Sequence, residues 1–438
     1  MSRYCPSPQL YHPERQPGSY GGFVPANIHT RGYKIFPCSL FMNYLWTAFP
    51  LLSIIKIIHI AFVRYCMNKS KLRNPGLDII RCIALLCVIS VHFFLNTGFY
   101  DQTVAGEYML VMVIMRNSFM ICVPLFMMLT GYLTQSKETS KAYYLKIVRI
   151  LYVYLIASLF CGFYKIYFCD DSYSVPMTLA RILSFQTAPY SWYVEMYIGL
   201  FLLIPFLNTM YSGLQTQRNK QLLILTLLLL TALPSVLNIY NISRISDPEW
   251  WRMPSKSAQL FPLVPDWWSE IYPITYFFLG KYLREYPIQY RPKQLAVTSF
   301  LVFLLAGIFN YYRSYGNTFI WGTWQDYGSF LITLQTVLIF SFFIKLKYDK
   351  LPSVIGSVLA KISDLSFGAY LTSWIFDTIV YPRLNDSVQT IQQKLFYFPL
   401  TVIAVLIGSI TCSFVIDLSY SLINKKIIRR FTKQGIGK

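Results

Sequence analysis

The sequence predicts an all-α fold: a polytopic transmembrane helical bundle of about ten spans, with a further N-terminal apolar helix as an optional addition. Three observations predict it. Apolar runs of about 20 residues, the length that crosses a hydrocarbon core, recur along most of the 438-residue chain. Only 13% of the residues are charged while 55% are hydrophobic, against roughly 25% charged in soluble domains. The Lys and Arg residues collect in alternate short loops, the positive-inside pattern. That placement also accounts for the net charge of +20 and argues against a nucleic-acid partner.

The expected spans run over 77–97, 108–133, 144–168, 190–210, 221–240, 268–284, 294–312, 327–346, 364–382 and 395–421. One set of loops is basic, with Lys69, Lys71 and Arg73, then Lys137, Lys141, Lys146 and Arg149, then Arg218 and Lys220. The same side continues with Lys281, Arg284, Arg291 and Lys293, then Lys345, Lys347, Lys350 and Lys361. The opposite loops hold Asp101, Glu107, Asp170, Asp171 and the long segment 241–267. An even number of spans with basic ends places both termini of the main domain in the cytoplasm of a multi-pass cell-membrane protein, in the plasma or inner membrane.

Upstream, residues 1–38 are rich in Pro, Gly and Tyr and read as disordered. Residues 39–62 form another apolar run without the cleavage site of a signal peptide. Residues 1–66 are therefore expected to be an extension, a disordered tail plus one apolar segment that is an eleventh span, an interfacial helix or sequence read from a start codon too far upstream. Residues 67–423 form the membrane domain, and 424–438 a basic cytoplasmic tail. No pair among the nine cysteines has metal-ligand or redox spacing, so no metal site is expected. A glycine-rich phosphate loop is also missing from the sequence, which argues against an ATP-driven pump.

Downstream of residue 67 the chain contains one histidine, His92, inside LDIIRCIALLCVISVH. Arg81 precedes it by eleven residues. On a helix this spacing aligns both side chains on one face with a rise of about 16 Å. Ionisable groups inside a membrane are costly and mark function. His92 reads either as a buried neutral imidazole bonded to a neighbouring hydroxyl or carbonyl, or as a general base; the alignment with Arg81 favours the base. Arg81 either pairs with Asp78, three residues earlier, or grips an incoming anion. In KAYYLKIVRILY, Lys146 and Arg149 are flanking charges or a phosphate clamp.

Glu195, in PYSWYVEMYIGLFLLIPFL, sits in or at the outer end of the fourth span. It is expected either to pair with Arg116 of the second span or to handle substrate. Asp377 and Asp417, acids in later spans, receive no role from the sequence. Trp250, Trp251, Trp267, Trp268, Trp321 and Trp324 lie in the outer loops, as interfacial belts or as platforms for sugar rings.

An ordered set of segments resembles the membrane-bound acyltransferase-3 family, which includes bacterial surface polysaccharide O-acyltransferases. LDIIRCIALLCVISVH resembles its first-span signature, CVPLFMMLTGYL its VPLF-to-GYL segment and KIVR its basic-x-x-Arg motif. WYVEMYIGLFLLIPFLN, with Trp192 and Tyr193, is similar to its fourth span, and FGAYLTSWIFDTIVY to a late one. The likeness covers about residues 70–422. It implies that cytoplasmic acyl-CoA, usually acetyl-CoA, serves as co-substrate without a bound cofactor. It further implies that His92 is the base, that Arg81 handles the donor and that Lys146 and Arg149 bind phosphates. The acceptor hydroxyl is then reached from the far side. Two departures stand out: Lys146 replaces an Arg, losing a bidentate fork, and Met120 stands where some relatives carry Arg, with Arg116 one turn earlier.

The expected function is membrane O-acylation, O-acetylation first, of a cell-envelope polysaccharide or its lipid-linked precursor. Glycan or glycolipid, acyl-CoA and the lipid bilayer are the expected partners. The rival is a non-enzymatic polytopic carrier or flippase for a glycan or lipid. A carrier is expected to carry broken helices and internal symmetry, which the sequence does not display.

Overall fold

The computed structural model describes residues 74–134, 139–169, 174–240, 245–248, 250–252 and 262–435. The expected extension at 1–66 lies outside the described residues. Most of those described are helical, with no strand and a single isolated bridge among them, Thr103 to Thr318, joining two loops. The longer helices are α1 (Pro75–Asn96), α2 (Gly106–Phe119), α3 (Cys122–Leu133), α4 (Ile147–Phe168), α5 (Val175–Leu183) and α6 (Trp192–Gly213). They continue with α7 (Gln217–Thr231), α8 (Tyr272–Glu285), α9 (Pro292–Ser314), α10 (Phe330–Lys345), α11 (Ser353–Ser387) and α12 (Phe398–Gly435). The basic segment after residue 423 thus continues α12 as helix through Gly435.

Eight helical stretches among the described residues are long and apolar enough to cross a membrane. Two of the expected spans fall instead on shorter helices, α7 with 15 residues and α8 with 14. Fourteen residues rise only about 21 Å, less than a hydrocarbon core. Burial accounts for α8: Tyr276, Phe277 and Phe278 are fully enclosed, and the helix packs on α3 and α7. Lys281 and Lys361, expected in basic loops, are buried instead, held by Asn208 and Asp417. Pro234 follows α7 and opens a separate single turn, Pro234–Leu237.

Prolines set the breaks. Pro124 has no N–H for the carbonyl of Met120, and the second span divides into α2 and α3 at Met120 and Ile121. Inside α6, Pro205 frees the carbonyl of Phe201. The Tyr143 hydroxyl donates to that carbonyl at 2.7 Å, and its ring stacks on Phe201 with centroids 4.6 Å apart. A rung lost inside the membrane is thereby replaced by a side chain. The same contact pins the segment leading into α4 against α6.

α1 occupies the centre, packed against α11, α3, α12 and α10. Asn74 caps its N-terminus by accepting from Gly76 N at 2.9 Å, and Pro75 starts the first turn. Side chains serve its C-terminal carbonyls: Asn96 donates to His92 O, Thr97 to Phe93 O, Asn385 to Asn96 O and Lys394 to Thr97 O. Such capping lets a helix end be buried without orphaned carbonyls. Burial holds the Lys394 ammonium below the usual lysine range, and its position suits the negative end of the helix dipole.

Candidate active site

Arg81 and His92 both point from α1 toward α11. Arg81 donates from Nη1 to Ser363 Oγ at 3.0 Å, and the His92 Nδ1 lies 3.1 Å from Asp377 Oδ2. Residue numbers increase in the same direction on both helices, so α1 and α11 run parallel with two polar rungs, about 16 Å apart along α1. His92 is 7% exposed and Asp377 1%. The Asp377 carboxylate also accepts the Tyr190 hydroxyl at 2.8 Å, while the Tyr190 ring stacks on His92 with centroids 3.9 Å apart. His92 Nδ1 makes no hydrogen bond among the described residues, so its approach to Asp377 is a close contact between the two side chains.

Tyr190 reaches this place on a non-helical segment between α5 and α6. Thr187, Ala188, Tyr190 and Ser191 are all buried, and irregular backbone at such depth requires protein on every side. Ser191 Oγ donates to the carbonyls of Ala188 and Phe185, and Tyr154 donates to Ile182 O. Phe185 holds φ of 57°, a left-handed conformation that a bulky residue adopts only under constraint.

A cavity of about 340 Å³ lies between α1, α3, α4, α6, α11 and α12. Arg81, Arg149, Asp364 and Asp417 contribute charge to its lining. Val123, Phe126 and Thr130 contribute one stripe of α3 at helical spacing, and Tyr193 and Tyr197 contribute α6. The VPLF, KIVR and WYVE segments therefore converge on one space. His92 stands one turn beyond Val88, which lines the cavity. Tyr370, also lining it, donates its hydroxyl to the Tyr190 carbonyl.

Arg149 is half exposed and lies 3.2 Å from Asp417, which Lys361 holds at 2.8 Å. Lys146 is exposed at the N-cap of α4, outside the cavity lining. Asp78 is buried in the first turn of α1. Trp192 is half-buried and stacks on Tyr327.

The expected Glu195–Arg116 pair does not form. Glu195 is exposed in the first turn of α6, a position an acid occupies favourably at the positive end of a helix. Arg116 is fully buried in the last turn of α2, donating to Gln325 Oε1 at 2.9 Å and Tyr100 Oη at 3.1 Å. Its guanidinium lies 4.5 Å from the Trp321 ring and 4.9 Å from that of Phe319. It fastens the loops after α1 and α9 to α2. Arg116→Ala is expected to lower stability by about 2–4 kcal/mol, through lost hydrogen bonds and cation–π contact. Glu195→Gln is expected to stay within about 0.5 kcal/mol. Thermal melts in detergent check this: equal losses for both variants would restore the pair.

Two of the outer tryptophans are likewise engaged. Trp324 is buried under Arg313 at 3.8 Å and donates to Asn310, while Trp321 belongs to the Arg116 cage. Trp267 and Trp268 are exposed.

Asp377 and Tyr190 are the residues that sequence reasoning left without a role. An acid in FGAYLTSWIFDTIVY was a visible signal, but its partner lies on another helix. Asp417, also unassigned, takes its place between Arg149 and Lys361.

An apolar helical bundle with a charged cavity on one side and a buried His–Asp pair at its core defines the class, a multi-pass membrane enzyme. Residues 74–418 match the family model of the acyltransferase-3 domain, described as an acyltransferase domain, and the chain belongs to this family. It is a membrane acyltransferase. Comparison with curated proteins and with solved structures gives no match.

Proposed function

We propose that the protein is an O-acyltransferase of the cell membrane, with both termini of the membrane domain in the cytoplasm. It moves an acyl group, acetyl in the simplest case, from cytoplasmic acyl-CoA to a hydroxyl of a cell-surface glycan or its lipid-linked precursor. The observation that carries this reading is the His92–Asp377–Tyr190 cluster at the opposite end of α1 from the cavity charges.

The Asp377 carboxylate beside Nδ1 favours a proton there and leaves Nε2 as the base. Nε2 takes the proton of the acceptor hydroxyl as its oxygen attacks the thioester carbonyl. The tetrahedral intermediate collapses, the C–S bond breaks, and the CoA sulfur receives that proton from the imidazolium. Arg81 and Arg149 hold donor phosphates at the cavity, with Lys146 adding attraction at the rim. CoA never crosses the membrane; only the acyl group does.

The test gives acetyl-CoA labelled in its acetyl group to membranes containing the wild-type chain or His92→Ala, following label into glycan and the release of free CoA. Transfer by the wild type alone supports the reading; equal transfer by both variants refutes His92 as base. Arg149→Ala is expected to raise the KM for acyl-CoA by roughly tenfold, the worth of one charge-assisted hydrogen bond. An unchanged donor KM would remove Arg149 from the donor site.

A further inference from the structure

Beyond Asp377, the same face of α11 carries Tyr381 and Asn385, at successive intervals of four residues toward the C-terminal end of α1. Three side-chain atoms along it, Asp377 Oδ1, Tyr381 Oη and Asn385 Oδ1, are buried and have no hydrogen-bond partner among the described residues. Buried polar atoms are ordinarily paired, because an unmade hydrogen bond keeps its full desolvation cost. Three in one file, spanning about 12 Å of helix rise, are better explained by a transient partner than by isolated lapses. Pro382, in the same turns, also removes the N–H that would serve the Thr378 carbonyl.

The file begins at the His92–Asp377 pair and ends at Asn385, which is half-buried and donates to Asn96 O at the close of α1. Arg383 and Asp386 beside it are exposed. The cavity charges lie at the other end of α1, so this file leads away from the donor side.

We propose that Asp377, Tyr381 and Asn385 line a polar access path by which a hydroxyl acceptor, with accompanying water, reaches His92 from the face where α1 ends. The chemistry selects the ligand class. A carboxylate oxygen and an amide oxygen only accept, and a phenol hydroxyl does either. A neutral polyhydroxyl compound such as a sugar, rich in O–H donors, matches them; an anionic group does not. The assignment of the ligand rests on His92 acting as the base, whereas the path itself does not.

Substituted-cysteine labelling tests it. Asn385→Cys, Tyr381→Cys and the exposed control Arg383→Cys are placed in oriented vesicles, with the unsubstituted protein as background. A membrane-impermeant cationic methanethiosulfonate is added to one face at a time. Both path variants are expected to label above background from the face where α1 ends, Tyr381→Cys at least tenfold slower than Asn385→Cys. Labelling from the opposite face, or of Arg383→Cys alone, would overturn the path. Should a cysteine variant fail to fold, Tyr381→Phe and Asn385→Leu are assayed with labelled acetyl-CoA and total membrane glycan. Transfer is expected to fall at least tenfold with donor KM within twofold; full transfer in both overturns the path. Labelling as expected in a protein that never consumes acetyl-CoA would support the path and refute the catalytic reading of His92.

Discussion

His92→Ala is expected to lose about two to four orders of magnitude in acyl transfer, the range general-base catalysis supplies. Asp377→Asn is expected to lose roughly two orders or more, through its effect on the imidazole. An amide retains the volume but not the charge that favours a proton on Nδ1, so Nε2 is no longer reliably the free nitrogen. It also replaces the carboxylate that accepts the Tyr190 hydroxyl. Because the two residues act as a unit, the double variant should be no slower than His92→Ala alone. Initial rates of label transfer measure all three. The loss in Asp377→Asn should fall on kcat, with donor KM and thermal melt near wild type. Wild-type kcat in that variant would refute the dyad, and a collapsed melt would make Asp377 a structural residue.

Gly131→Leu is expected to abolish the folded protein. A Cβ at Gly131 would stand 1.9 Å from the Phe277 carbonyl oxygen, and one at Gly280 would stand 2.1 Å from that of Met128. The backbones of α3 and α8 thus cross in direct contact, the arrangement small residues permit inside membranes. The obstacle is backbone on both sides, so no rotamer change can relieve it. The helices must separate, and the cavity stripe of α3 goes with them. Gly199→Ala in α6 is the control, since nothing lies within 4 Å of its Cβ position. Size-exclusion chromatography in detergent should give a monodisperse peak for Gly199→Ala and an aggregated or absent one for Gly131→Leu. A folded Gly131→Leu protein would mean that the crossing is not close.

The bundle was legible in apolar run length and loop charge because the bilayer imposes both locally. The alignment of Arg81 with His92 was legible because it depends only on helical period. Asp377 could be seen as an acid in an apolar span, but pairing it with His92 requires knowing that α1 and α11 run side by side. The Glu195–Arg116 pair failed for a related reason. Opposite charges in neighbouring spans suggested a bond, whereas Arg116 is satisfied by Gln325 and rings from loops, which carry no periodic signal. The shortness of α8 was hidden as well, because hydropathy does not separate lipid from a surrounding shell of protein.

The parallel rungs between α1 and α11 have a mechanical meaning. Ser363 and Asp377 ride on one rigid rod, as do Arg81 and His92. Any slip of one rod along the other breaks both contacts at once, and re-engagement restores both. The two helices behave as a ratchet with two teeth. A distortion at the Arg81–Ser363 rung is therefore transmitted to the His92 imidazole without any flexible linkage.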